Sequence, residues 1–142
     1  MRHVHPPRAP HYAQDGQALW STSADSYGMW RLEETLDSLY ARGAISEFIV
    51  IAIDMAERRV ECLIPVPDSE QAGGHAEAHL RALVEGVRRE VNERYRTRAG
   101  RTDTALLGSS LGGLFSFYDA WLRPDVFVKA ACLSSNFGCA ER

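Results

Sequence analysis

No apolar run in this chain approaches the ~20 residues that a membrane-spanning helix requires. The opening residues, Met1-Arg2-His3-Val4-His5-Pro6-Pro7-Arg8, carry no apolar core of the kind that marks a secretory signal. Positive charge is not in surplus either. The net charge is −3 with both signs interspersed, and no basic patch is interleaved with aromatics, so a nucleic-acid partner is not expected. Cysteine is scarce and odd in number: Cys62, Cys132 and Cys139 have no metal-like spacing, although the last two could meet locally. Reduced thiols in a cytoplasmic protein are the plain reading. His3, His5 and His11 cluster near the start without a carboxylate or cysteine at ligand spacing, and read as part of a solvated tail. Neither a metal site nor a cofactor is expected. Internal repeats are absent, and 142 residues suit one domain with a real core.

What is present is organised around Thr104-Ala105-Leu106-Leu107-Gly108-Ser109-Ser110-Leu111-Gly112-Gly113. An apolar run ends in Gly-x-Ser-x-Gly, and an apolar-faced helical segment follows at once. That is the context of a nucleophile elbow, in which a serine sits at the tip of a tight strand-to-helix turn. Gly108 and Gly112 lack Cβ atoms, so strand and helix can approach closely. Ser110 is the candidate nucleophile. The Leu111 N–H, in a helical first turn without intrahelical partners, is a candidate oxyanion donor.

The rest of the chain reads as alternating strands and helices. Residues 1–11 read as an irregular or disordered lead, with Arg8–Tyr12 a poor strand, and 12–142 as the domain. Met29, Leu32, Leu36, Leu39 and Tyr40 fall at helical spacing over 27–42, with Ser26 as N-cap and Gly43 as the stop. Phe48–Ile53 is a continuous β-branched run, as in a strand buried on both faces. Residues 54–74 read as loop, with 60–66 a short strand or extended segment. A long helix is expected over 75–98, closed by Gly100, with Leu80, Leu83, Val84, Val87, Val91 and Tyr95 as its apolar stripe. The elbow strand spans 104–107 and its helix 111–122, stopping before Pro124. Residues 127–133 form the last strand. Crossover-length connections make this an α/β fold with a parallel sheet, and the strands at 48–53, 104–107 and 128–133 are expected side by side.

Taken together, Asp15-Gly16-Gln17, Trp30 to Gly43, Ile49 to Asp54, Arg59 and Glu61 with Pro65, the Gly73-Gly74 helix, Tyr95-Arg96-Thr97, Gly108 to Gly113, Pro124 to Phe127 and Leu133-Ser134 resemble the esterase family of esterase D and the enterochelin esterases. This family is a branch of the α/β-hydrolases. The resemblance implies a partial α/β-hydrolase fold, a parallel-rich sheet flanked by helices, and a serine hydrolase acting on a small-molecule ester. It places Ser110 at the nucleophile and Leu111 at one oxyanion donor, and it makes Gly16 and Gln17 the loop that supplies the second. An acyltransferase of the same clan, or a non-catalytic hydrolase-like binding domain, are the alternatives.

Two departures bear on activity. The α/β-hydrolase order is serine, acid, histidine, yet His3, His5, His11, His75 and His79 all precede Ser110. The acids that follow are Asp119, Asp125 and Glu141, and the first two fall on or just after the elbow helix. His75 and His79 open a helix expected to lie against a sheet face, away from the elbow. Domains of this class usually run to about 200–250 residues, so the chain reads as a fragment of an esterase, inactive or very weak alone. Its incomplete sheet is expected to leave an edge that invites self-association.

Overall fold

The computed structural model describes residues 5–22, 28–67 and 73–140. Among them lies one four-stranded sheet of β1 (Ala9–Gln14), β2 (Phe48–Ile53), β3 (Ala105–Ser109) and β4 (Lys129–Leu133), in the order β2-β1-β3-β4 with every neighbouring pair parallel. The helices are α1 (Leu32–Ala41), α2 (Arg59–Leu63), α3 (Ala76–Arg81), α4 (Arg88–Arg94) and α5 (Leu111–Leu122). The α/β class read from the sequence is the class observed.

The lead is where the reading fails. Ala9–Gln14 is a strand, and it lies between β2 and β3 instead of outside the sheet. The strands at 48–53 and 105–109 are therefore separated, not adjacent. His11 belongs to β1, half-buried with its ring 4.1 Å from that of Phe48, so it is no part of a solvated tail. Burial, helped by the nearby Lys129 and Arg98 charges, pushes its pKa down.

The segment before α3 also differs. Where a strand or extended stretch was expected, a 3₁₀ turn at Ala56–Arg58 leads into α2. Arg58 and Glu61 pair one turn apart on its outer side, while Cys62, Leu63 and Ile64 are buried. The long helix begins as expected at Ala76 but ends at Arg94, because Tyr95 turns extended at φ −123° and ψ 153° and stays exposed. A π-helical stretch, Ala82–Val87, joins α3 to α4. The N-terminal half of α1 starts later than the spacing suggested, and its proposed cap Ser26 lies outside the described residues. Gly43, at φ 64°, does follow its end.

The core lies on one face of the sheet. Tyr12 and Leu106 point into it and meet Leu80, Leu83, Val84 and Val91 from the α3–α4 run, Leu114 and Phe115 from α5, and Phe127. The other face carries His11, Ala105 and Lys129 in one row. It is covered near β2, where Tyr40 of α1 meets Phe48 edge to face. Over β4 it is bare: Lys129, Ala131 and Leu133 are exposed. Cys62 is buried and free, and Cys132 is free and partly covered. No described helix is long and apolar enough to cross a membrane.

One buried group works against this core. Asp119 on α5 is fully buried, and neither carboxylate oxygen has a hydrogen-bond partner among the described residues. Burial pushes its pKa up to about 9. The folded chain thus keeps the proton while the unfolded chain, at an ordinary pKa of 3.8, gives it up. Between those two values the unfolded state binds fewer protons, so stability falls as pH rises. Asp119→Asn removes the titration. Its stability relative to wild type should climb from about pH 4 to pH 9 by as much as ~1.4 kcal/mol per unit, read from urea unfolding at several pH values.

Candidate active site

All four strands are parallel, so their C-terminal ends share one edge of the sheet, where open α/β sheets bind ligands. The register sets three of these ends side by side. His11 aligns with Ala105 and Ala13 with Leu107, which brings Asp15 level with Ser109, and Ser109 aligns with Leu133. Immediately beyond lie Asp15 (φ 60°), Ser110 (φ 54°) and Ser134 (φ 44°), three of the four described non-glycine residues with positive φ. Backbone of this kind costs about 1–3 kcal/mol per residue and persists only where surrounding contacts impose it.

At Ser110 those contacts are explicit. With φ 54° and ψ −116° it belongs neither to β3 nor to α5, which begins at Leu111. Its N–H donates to the Leu133 carbonyl at 3.0 Å, and its own carbonyl accepts from the N–H groups of Leu114 (3.0 Å) and Asn136 (3.2 Å). A Cβ on Gly108 would overlap the backbone of Gly112. A Cβ on Gly112 would lie 2.9 Å from Asp15 Oδ2 and 3.0 Å from Gln14 Cβ. The two glycines therefore allow β3, α5 and the end of β1 to meet. Leu111 is buried, and as the first residue of α5 its N–H has no partner within the helix.

The loop after β1 is held from several sides. Gly16 and Gln17 lie in a 3₁₀ turn (Gly16–Ala18), with Gly16 packed so tightly that a Cβ would meet the β2 backbone at Ala52 and Ile53, 2.9 Å away. The Ala18 and Leu19 carbonyls accept the N–H groups of Trp30 and Leu32 at 2.8 Å each. Arg59 of α2 forks onto the Asp15 carboxylate, Nε to Oδ1 at 2.5 Å and Nη2 to Oδ2 at 2.9 Å. The Asp15 side chain is one-tenth exposed and Arg59 about one-third. In the sequence Asp15 stands out only as part of the Asp15-Gly16-Gln17 block, and nothing there announced this pairing across 44 positions.

His79 lies nearer this edge than its helix suggested. Its Nε2 is 3.2 Å from Gln14 Oε1, and its ring lies 4.6 Å from that of Phe115. Burial pushes its pKa down, which favours the neutral imidazole. His75 is exposed and pairs with Glu61 at 3.6 Å, and Asp125 pairs with Arg123. His5 is exposed, and His3 and Glu141 lie outside the described residues. A shallow, open concavity runs away from this edge, along Val84, Arg88, Asn92 and their neighbours. No cluster suited to a metal ion occurs among the described residues.

The family model described as Putative esterase matches residues 6–138. The chain belongs to the esterase family. No curated protein matches it. Among solved structures, the BES protein from Bacillus cereus aligns with a TM-score of 0.72 at 16% identity, over 94% of this chain and 55% of its own. The enterobactin esterase from Shigella flexneri aligns at 0.70 and 20% identity, over 95% of this chain and 32% of its own. A ferulic acid esterase from Anaeromyces mucronatus gives 0.64 and 20%, over 92% and 48%. These identities show a shared fold. This chain spans from about a third to just over half of those structures.

Two substitutions separate close packing from helix propensity. Gly108→Ala should destabilise the chain by ~3 kcal/mol or more, because backbone must move to admit the methyl. Gly86→Ala, a helix position with nothing within 4 Å, should stabilise it by ~0.5–1 kcal/mol. Urea midpoints of the two variants check the contrast. Arg59→Ala should cost about 1–3 kcal/mol, since it strands a nearly buried carboxylate. Arg59→Lys should restore only part of that, as an ammonium cannot reproduce the two-pronged contact.

Proposed function

We propose that this esterase-family chain carries the nucleophile and oxyanion half of a carboxylic-ester hydrolase site. The observation that carries the reading is the strained Ser110 backbone at the join of β3 and α5. A hydroxyl on such a turn can attack an ester carbonyl, and the Leu111 N–H, without a partner inside the first turn of α5, is our candidate donor to the resulting oxyanion. The turn at Gly16 and Gln17 is our candidate for a second donor. Its nearness to Gly112 through Asp15 supports the assignment. In the attack, Ser110 Oγ bonds to the acyl carbon and passes its proton to a base, which hands it to the departing alcohol as the tetrahedral intermediate collapses to an acyl-enzyme. A water, deprotonated by the same base, then attacks that ester and releases the acid and the serine.

The base is the weak point of the chain. No histidine follows Ser110 in the sequence. Upstream, the His79 ring is engaged with Gln14 and Phe115. The later acids fare no better: Asp119 is buried in a form that keeps its proton, and Asp125 is tied to Arg123. A serine hydroxyl without a base is a poor nucleophile at neutral pH. The second reading is that the chain binds an ester or a partner without turning it over.

The test is hydrolysis of a p-nitrophenyl ester by the soluble 142-residue chain beside Ser110→Ala. The two should be equal within a few-fold. A wild-type rate about a thousandfold above the alanine variant would show that a base operates and that the second reading is wrong. In that case His79→Ala and His75→Ala identify the base by which of them abolishes the difference.

A further inference from the structure

The Asp15 carboxylate reaches the first turn of α5. A Cβ on Gly112 would lie 2.9 Å from its Oδ2 and 3.7 Å from its Cγ. Gly112 follows Leu111, the candidate oxyanion donor, and Gly16 of the candidate second donor loop follows Asp15 itself. The carboxylate therefore stands one residue along from each donor, and its side chain is only one-tenth exposed. For the helix this placement is favourable, because its first turn carries about half a unit of positive charge. For an ester site it is adverse. The oxyanion that forms when a serine attacks an ester draws on the same positive end. A full negative charge beside it offsets that stabilisation, and two anions a few ångströms apart in a partly buried site repel strongly.

The compensating charge comes from another element. Arg59 of α2 forks onto Asp15, with Nε 2.5 Å from Oδ1 and Nη2 2.9 Å from Oδ2. Together the two groups carry no net charge, and Asp15 keeps its left-handed place at the start of the loop, where φ is 60°. The neighbouring Arg58 is engaged with Glu61 on the outer side of α2. We propose that Arg59 is a positioning residue for the Ser110 site. Acting through Asp15, it neutralises the carboxylate beside the two oxyanion donors as well as holding the turn. An uncharged residue of the same shape at position 15 would make the guanidinium dispensable, whereas aspartate makes it necessary. The role exists only if Ser110 is the nucleophile of an ester site, as proposed above.

The experiment is single acetylation of Ser110 by p-nitrophenyl acetate at about pH 8 in the 142-residue chain, read by peptide mass spectrometry with Ser110→Ala as the blank. The acetyl group moves to Ser110 Oγ, p-nitrophenolate leaves, and hydroxide takes the serine proton, so no turnover is needed. Arg59→Met should slow this acetylation by about tenfold or more. Adding Asp15→Asn to Arg59→Met should bring it back to within about threefold of wild type. Arg59→Lys, which keeps the charge without the fork, should stay in that same range. A purely structural clamp predicts a different pattern. Lysine lacks the fork and asparagine restores no clamp, so both variants would be as slow as Arg59→Met. That pattern would overturn the proposal, and so would an unchanged rate in Arg59→Met. Circular dichroism checks the fold of each variant. Arg59→Gln, which removes the charge and keeps a hydrogen bond, should be as slow and serves if the methionine variant is unfolded. Absence of acetyl-Ser110 from the wild-type chain would overturn the nucleophile reading, and this role with it.

Discussion

The backbone of Ser110 occupies a region that side-chain-bearing residues avoid, and much of the neighbouring structure exists to keep it there. Its N–H is taken by Leu133 and its carbonyl by Leu114 and Asn136, so strand β4, the loop after it and the first turn of α5 all fix the same peptide units. Gly108 and Gly112 remove the methyl groups that would force β3 and α5 apart. Asp15, itself left-handed, packs on Gly112 and is clamped from behind by Arg59. Relaxing Ser110 to an ordinary conformation would break hydrogen bonds on both sides of it. The strain is thus held by a cooperative set of contacts, and the hydroxyl is presented at the sheet edge as a result.

Much of this was legible in the sequence because the signals are local. Phe48–Ile53 and Leu111–Leu122 have the bounds that were read, since a six-residue β-branched run and a twelve-residue stretch ending before proline each have one good local solution. But β2 is the outermost described strand on its side, only partly buried and with Ala52 exposed, where burial on both faces was expected. β1 was not legible, and Pro10 shows why. Proline lacks the N–H a central strand needs, and His11, Tyr12 and Gln14 are not strong strand formers. Yet β1 pairs with β2 from Ala9 onward and with β3 only from His11. At Pro10 the strand has a single neighbour, so the missing donor leaves the β3 ladder intact. Gln14 is held in the interior at its Oε1 by His79, 65 residues away, while its Nε2 has no hydrogen-bond partner among the described residues. Pairings at that range leave no periodicity behind, and the same holds for Asp15 with Arg59.

A parallel sheet is ordinarily covered on both faces. Here the α3–α4 run and α5 cover one face over β1 and β3, though Ala130 of β4 stays exposed there, and α1 covers the other beside β2. The uncovered part is the β4 half, with Lys129, Ala131 and Leu133 exposed. The solved structures that share the fold are two to three times as long as the part this chain matches.

These two features meet at the site. β4 supplies the Leu133 carbonyl that holds the Ser110 N–H, and β4 is also the strand with nothing described on its outer edge. Edge strands with solvent-exposed hydrogen bonds sit at the low end of local stability, so they open before the core does. Opening β4 removes the Leu133 contact and carries away the Asn136 contact that follows it. Ser110 would then keep only the Leu114 bond and the packing of its glycines. The geometry that makes Ser110 a candidate nucleophile is therefore only as persistent as the pairing of β4. Whatever covers that edge stabilises the site without touching the hydroxyl, which couples the assembly of the sheet to the shape of the turn.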